Sequence, residues 1–351
     1  MWTFWSTCCF YINIVFTIMY SMKNIISFII CFAVISGACA KKSSNDPPPP
    51  ANNPDTLPDP PASVADCKKC IILSEQAFQR VAIADLESKK IFWEWTPQAS
   101  NVKAEHYKWF NNISDAKLVY NNQYILTNAS GGGVALIRIA DKKTVFYAYA
   151  GGNTHSAELL PDGNIVSASS TGNYLTLFTV DTLHFPENVY SKNITVDFGH
   201  NVVWDHKNQL LWTAAGKQLL SFQYNFNCTQ PDLTLVKSIP LPGKEAHDLF
   251  PVYGEEAFWL TNTTNVYKFT LAGEKLEQAD VLQPNIKSVS SGPAGFPIII
   301  IKPKESWWTD EVTDAKGNGV YYEKGLKIYK ARWFLPNLFS YPADHAIHQC
   351  K

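Results

Sequence analysis

The chain has no surplus of either charge: 30 lysines and arginines face 31 aspartates and glutamates, and only 17% of its 351 residues are charged. Nor does it contain a Lys/Arg cluster with interleaved aromatics, so it lacks the electrostatic footprint of a nucleic-acid-binding domain. Helical periodicity is almost absent beyond residue 66, which argues against a helical fold. Common catalytic signatures are also missing: there is no GxSxG elbow, no HExxH and no glycine-rich phosphate loop at a strand–helix junction. No linker interrupts the sequence between residue 70 and the end. What is present is a 46% hydrophobic and 13% aromatic composition, suited to a packed globular protein of one large domain or two ordinary ones.

The first 39 residues read as a signal region. From Met22 the sequence runs through Lys23, an apolar stretch from Ile25 to Ile35 and small residues before Cys39, the order of a secretory signal. Ser36-Gly37-Ala38-Cys39 resembles a bacterial lipobox, with Ser36 where Leu is preferred. Cys39 is therefore the expected lipidation site and Met22 the expected true start. Cleavage after Ala40 and a retained anchor, for which Trp2–Ser21 would supply a second apolar segment, are the competing readings. Residues 40–66 follow as a linker, with eight prolines between Pro47 and Pro61. Such a segment makes an extended spacer and builds no core. The expected location is the cell envelope, with the domain lipid-anchored to an outer membrane on either face.

Cys67, Cys70, Cys228 and Cys350 lie past the tether, and an even number in an exported chain permits two disulfides. No βαβ pattern surrounds Cys67-Lys68-Lys69-Cys70, which weakens a redox reading. A bridge within that motif, or one joining it to Cys350, is the structural expectation.

Short runs rich in Val, Ile, Leu, Thr, Tyr, Phe and Trp recur between turn residues, as in Tyr124–Ser130, Gln209–Ala215 and Ala257–Asn262. Ser114–Leu126 aligns without a gap on His155–Ser167, His200–Trp212 and His247–Trp259, and more loosely on Lys287–Ile299. The starts recur every 40 to 47 residues. Several strands per unit at that period indicate a β-propeller. Cys70–Trp95 fits the later strands of a further unit that lacks its first. An all-β, six-bladed β-propeller over residues 67–351 is therefore predicted, its first blade completed from the C-terminal end. Residues 303–319 read as an insertion in the last blade, and a Cys67/Cys70-to-Cys350 bridge would pin the closure.

First strands of propeller blades line the central channel. The position that opens them reads Ser114, His155, His200, His247 and Lys287, so blade symmetry would gather three histidines around one axis. Neutral imidazoles suit Zn²⁺, Mn²⁺ or Fe²⁺, and a divalent metal held by His155, His200 and His247 is one reading. A metal-free polar pocket and a purely structural ring are the others. Asp115 and Lys117 join the histidines as candidate ligand-binding residues, and Glu158, Lys287 and Arg332 are the candidate catalytic residues. Trp109, Phe110, Trp204, Trp307 and Trp308 are expected in or beside loops feeding the channel, whereas Trp93, Trp95, Trp212 and Trp259 are expected to pack between blades. Aromatic faces beside carboxylates and amides suit a carbohydrate.

With His155–Asn164, Gly199–Asp205 and Tyr329–Phe334 as the carrying segments, the chain from about Cys70 onward resembles a family of exported six-bladed propellers of unknown function found among Gram-negative lipoproteins. The resemblance implies the fold and no activity. A weaker likeness, at the level of fold and channel histidines, runs to oligogalacturonate lyases, whose histidines bind a divalent metal. The expectation is a lipoprotein whose monomeric propeller binds a small molecule or glycan at the channel, with metal-assisted catalysis as an extension. The alternative is a non-catalytic scaffold for protein or glycan binding in an envelope assembly.

Overall fold

The computed structural model describes Val64 and residues 66–243, 245–280, 284–343 and 345–347. Met22, the lipobox with Cys39, nearly all of the proline-rich linker and Cys350 lie outside these residues. The chain divides into two units, Met1–Thr56 and Leu57–Lys351, and the described residues belong to the second.

Six four-stranded antiparallel sheets form a ring. Blade 1 holds β1 (Cys70–Glu75), β2 (Arg80–Asp85) and β3 (Lys90–Trp95). Blade 2 holds β4 (Ile113–Val119), β5 (Tyr124–Ala129), β6 (Gly133–Arg138) and β7 (Thr144–Tyr149). Blade 3 holds β8 (Thr154–Leu159), β9 (Ile165–Ser169), β10 (Tyr174–Phe178) and β11 (Ser191–Thr195). Blade 4 comprises β12 (Val203–Asp205), β13 (Leu210–Ala215), β14 (Gln218–Tyr224) and β15 (Leu233–Pro240). Blade 5 comprises β16 (Asp248–Pro251), β17 (Ala257–Thr261), β18 (Val266–Thr270) and β19 (Lys275–Gln278). Blade 6 comprises β20 (Ser288–Ser290), β21 (Ile299–Ile301), β22 (Glu311–Asp314) and β23 (Gly319–Tyr322). The last strand, β24 (Ile328–Trp333), returns to blade 1 and pairs with β1, with Ile71 opposite Trp333 and Ile72 opposite Arg332. The predicted closure of the first blade by C-terminal sequence is thus observed.

Burial follows distance from the axis. Strands β4, β5, β8 and β9 are buried throughout because both faces pack on neighbouring blades. Most fourth strands meet water, so β11 alternates and β15 is mostly exposed, whereas β7 is buried except at Tyr149. Trp93, Trp95, Trp212 and Trp259 are buried as expected, Trp93 and Trp95 sharing one core cluster with residues of β4 to β6.

The closure is secured differently from the expectation. Cys67 is bonded to Cys70, with Cα atoms 5.9 Å apart, a usual separation for a bridge. The proposed link from this motif to Cys350 is therefore excluded, because both sulfurs are already used. Cys228 is also disulfide-bonded. Backbone pairing and buried Glu75 join the two ends of the chain instead. The Glu75 carboxylate accepts hydrogen bonds from Ala77 N at 2.6 Å, Phe78 N at 3.0 Å and Lys327 N at 3.0 Å. A second correction concerns residues 303–319. Only the turn between β21 and β22 is enlarged, since Glu311–Asp314 is a regular third strand of blade 6.

Candidate functional site

Each blade's first strand opens at the same end of the channel. Tyr329, the second residue of β24, stands where His155 stands in β8, so the six opening positions are Ser114, His155, His200, His247, Lys287 and Tyr329. Regular pairing starts after His200, His247 and Lys287, yet their backbone N–H groups still donate to the second strand, His247 to Thr261 O and Lys287 to Ile301 O, each at 2.8 Å.

Five of these six side chains form a contact chain around the mouth. Tyr329 OH lies 3.2 Å from His155 Nδ1. The His155 and His200 rings stack at 4.5 Å with a 21° tilt, and His200 meets His247 edge-on at 5.4 Å. His247 Nε2 lies 3.2 Å from Lys287 Nζ. Ser114 turns away to Asn112 O and Ser130 Oγ, both at 3.0 Å, and its small size lets blade 1 touch blade 3. His200 Nδ1 faces the Phe198 carbonyl at 3.3 Å. A carbonyl only accepts, so Nδ1 carries the proton and Nε2 keeps its lone pair.

All three imidazoles are held neutral. Burial, with cationic neighbours behind it, lowers His155 well below the ordinary range, His200 to about 4 and His247 to about 3. Lys287 is lowered to about 8, again by burial first, with the Glu245 charge opposing the fall. Among the described residues, no carboxylate oxygen lies within 4 Å of its ammonium. His247 Nδ1 is buried and has no hydrogen-bond partner among them.

One to three positions further along the strands, the charges are matched. Arg332 Nη2 and Nη1 donate to Asp248 at 2.6 and 2.7 Å, and Arg332 reaches Asp115 at 3.2 and 3.3 Å. Lys330 lies 3.1 Å from Asp248 and 3.3 Å from Asp115. Lys117 pairs with Glu158 at 3.0 Å and donates to Val202 O at 2.7 Å. Burial opposes the charged form of both aspartates, but Arg332 and Lys330 dominate and hold their pKa values below the ordinary range. Three cations thus meet three carboxylates and close the channel below the mouth.

The predicted site residues therefore separate. His155, His200, His247 and Lys287 converge on the mouth. Asp115, Lys117, Glu158 and Arg332 do not line it; they are buried in the ion-pair layer, where their charges answer one another. Trp204 sits further down its strand, buried 6.4 Å from Tyr224, and Phe110 packs on Trp95, so neither feeds the mouth. Trp109 is half-buried against His106. Trp307 is half-exposed and donates to Gln76 Oε1 at 3.0 Å, and Trp308 lies under Lys327. Tyr329 and Lys330 were missed, although laying Ile328–Trp333 on Thr154–Leu159 would have revealed both.

The histidines as placed do not fit a shared ion. Stacked rings direct their in-plane lone pairs side by side, whereas coordination needs them to meet at one point. Among the described residues, the three-ligand group with all donor atoms within 4.8 Å is Cys67, Cys70 and Asp85. Its two sulfurs are bonded to each other and provide no thiolate.

Residues 22–350 match a family of unknown function, DUF6528. The chain belongs to that family. No curated protein matches the sequence. A crystal structure of a protein of unknown function from Bacteroides caccae is similar at 14% identity and a TM-score of 0.51, covering 76% of this chain and 98% of that one. This likeness concerns the fold alone, and the family carries no established activity, so function must be read from the mouth itself.

Proposed function

We propose that this propeller binds a small organic anion, a carboxylate in the first instance, at the mouth of its channel. One observation carries the reading: among the described residues Lys287 is the mouth cation with no carboxylate in contact, largely buried beside neutral imidazoles, while Lys117, Lys330 and Arg332 are ion-paired. A buried charge without a counter-charge is costly, and a ligand carboxylate would supply one. It would accept from Lys287 Nζ. With Nζ donating to His247 Nε2, the His247 proton sits on the buried Nδ1. Recognition fits better than turnover, because the carboxylates suited to acid–base work are consumed in the ion-pair layer. The same surplus charge disfavours a metal cation.

We further propose that the domain is an exported lipoprotein, held to the envelope through Cys39 and spaced from it by residues 40–66. The signal-like order from Met22 to Cys39 supports this, and the family match begins at Met22.

The test is titration of the purified propeller with acetate, following the histidine ring resonances by NMR. Signals of His247 and His200 should move. Affinity should fall about tenfold between pH 7 and pH 9 as Lys287 loses its proton, and Lys287→Met should remove both the binding and its pH dependence. Acetate binding that is unchanged at pH 9, or retained by Lys287→Met, would overturn the proposal.

A further inference from the structure

Beside the mouth lies a cleft of about 540 Å³, lined by Asp197, Phe198, Ala215, Gly216, Lys217, Gln218, Leu220 and Glu245. It borders the mouth on two sides. Phe198 packs on His200 with ring centroids 4.4 Å apart, and Glu245 is close enough for its charge to act on Lys287.

Phe198 is held in place despite a backbone cost. Its φ of 50° is in the left-handed region, unfavourable for a bulky side chain. Three hydrogen bonds fix it there: its N–H donates to Asn173 Oδ1 at 3.0 Å, and its carbonyl accepts from His200 Nδ1 and Gly216 N, each at 3.3 Å. These contacts hold the strained backbone and so fix where the ring lies. The half-buried ring supplies an apolar face at the cleft wall. Gly216, at φ +54°, lets the Asp197 carboxylate lie over the backbone, where an added Cβ would come within 3.2 Å of Oδ2. Neither Asp197 nor Glu245 accepts a hydrogen bond from a described residue.

The mouth is cationic, the wall beside it aromatic, and the cleft carries two carboxylates against one exposed lysine, Lys217, so acid prevails there by a single charge. Two exposed carboxylates would repel a ligand carrying negative charge along its length. They would accept hydrogen bonds from hydroxyl groups, as would the free Nε2 of His200. An aromatic face packs on the C–H face of a sugar ring. Resting on the mouth as an anion site, we infer that the ligand is a sugar carboxylate, its acid group at Lys287 and its ring over Phe198 with hydroxyls toward Asp197 and Glu245.

Three probes separate the parts: acetate, methyl glucoside and glucuronate, titrated by calorimetry against the wild type, Phe198→Ala, Phe198→Leu, Asp197→Asn and Lys287→Met. Glucuronate should bind at least tenfold more tightly than acetate, and methyl glucoside should not bind measurably. Phe198→Ala should bring glucuronate down to the acetate level and leave acetate unchanged. Asp197→Asn should weaken glucuronate severalfold, and Phe198→Leu should fall between the wild type and Phe198→Ala. If glucuronate equals acetate and ignores both Phe198 variants, the sugar assignment is overturned while the anion site stands. If neither anion depends on Lys287, the anion site itself falls.

Discussion

Lys287 separates a functional mouth from a merely structural one. Its unfolded-state pKa is near 10.5 and its folded value about 8, so at neutral pH the native state holds that proton more weakly. The charged lysine therefore costs stability at neutral pH, and the cost disappears above pH 10.5. Lys287→Met should stabilise the fold at pH 7, by on the order of 2 kcal/mol, and the gain should shrink as pH rises through 8 toward 10.5. Urea midpoints of the two proteins across that range check this. A structural lysine would show the opposite, a loss on substitution. Stability given up at one residue is common at binding sites. Arg332 makes the contrast: it is more deeply buried, but its charge is answered by two aspartates.

At the level of elements, closure belongs to β24. That strand supplies Ile328, Ala331 and Trp333 to an apolar cluster shared by blades 1 and 6, and Lys330 and Arg332 to the channel. The Cys67–Cys70 bridge closes only a short loop, for which chain entropy gives about 2 kcal/mol. The double variant Cys67→Ala/Cys70→Ala should therefore remain a folded propeller with a slightly lower melting temperature. Truncation before Ile328 should leave blade 1 without its inner strand and the protein unfolded. Circular dichroism melts of both check the pair of outcomes, and collapse of the double cysteine variant would return closure to the disulfide.

The whole molecule should be sensitive to acid in two stages. The three mouth histidines have depressed folded values, so below pH 6.5 the unfolded chain takes up protons that the native state refuses. Stability is full above 6.5 and lost as pH falls toward 4 and then 3. Asp115 and Asp248 are depressed too, and their contribution, present above about pH 4, is lost below it. Glu158 acts in the other direction: burial raises it, with Lys117 opposing, so its protonation, complete by about pH 4.5, offsets part of the first-stage loss. Unfolding free energy should fall by several kcal/mol between pH 6.5 and 4 and then fall again. His155→Gln/His200→Gln/His247→Gln should remove the first stage and keep the second. A wild-type protein whose urea midpoint is flat from pH 6.5 to 4 would contradict the neutral state of the histidines.

What the sequence determined by itself is the architecture. Strand-forming runs, turn residues and a period of 40 to 47 residues leave few folds open, and the incomplete first unit implied a returning strand. The same alignment placed His155, His200, His247 and Lys287 at equivalent positions, because repeats convert spacing into symmetry. It could not say which polar residues would be spent on one another. Whether Asp115, Glu158 and Arg332 face a ligand or form internal pairs depends on distances across the channel between blades far apart in sequence. Only the closed ring brings Arg332 within 2.6 Å of Asp248, and it balances three cations against three carboxylates. What is left over, a lysine beside neutral histidines, exists only because tertiary structure buries them together and, among the described residues, sets no carboxylate in contact with it.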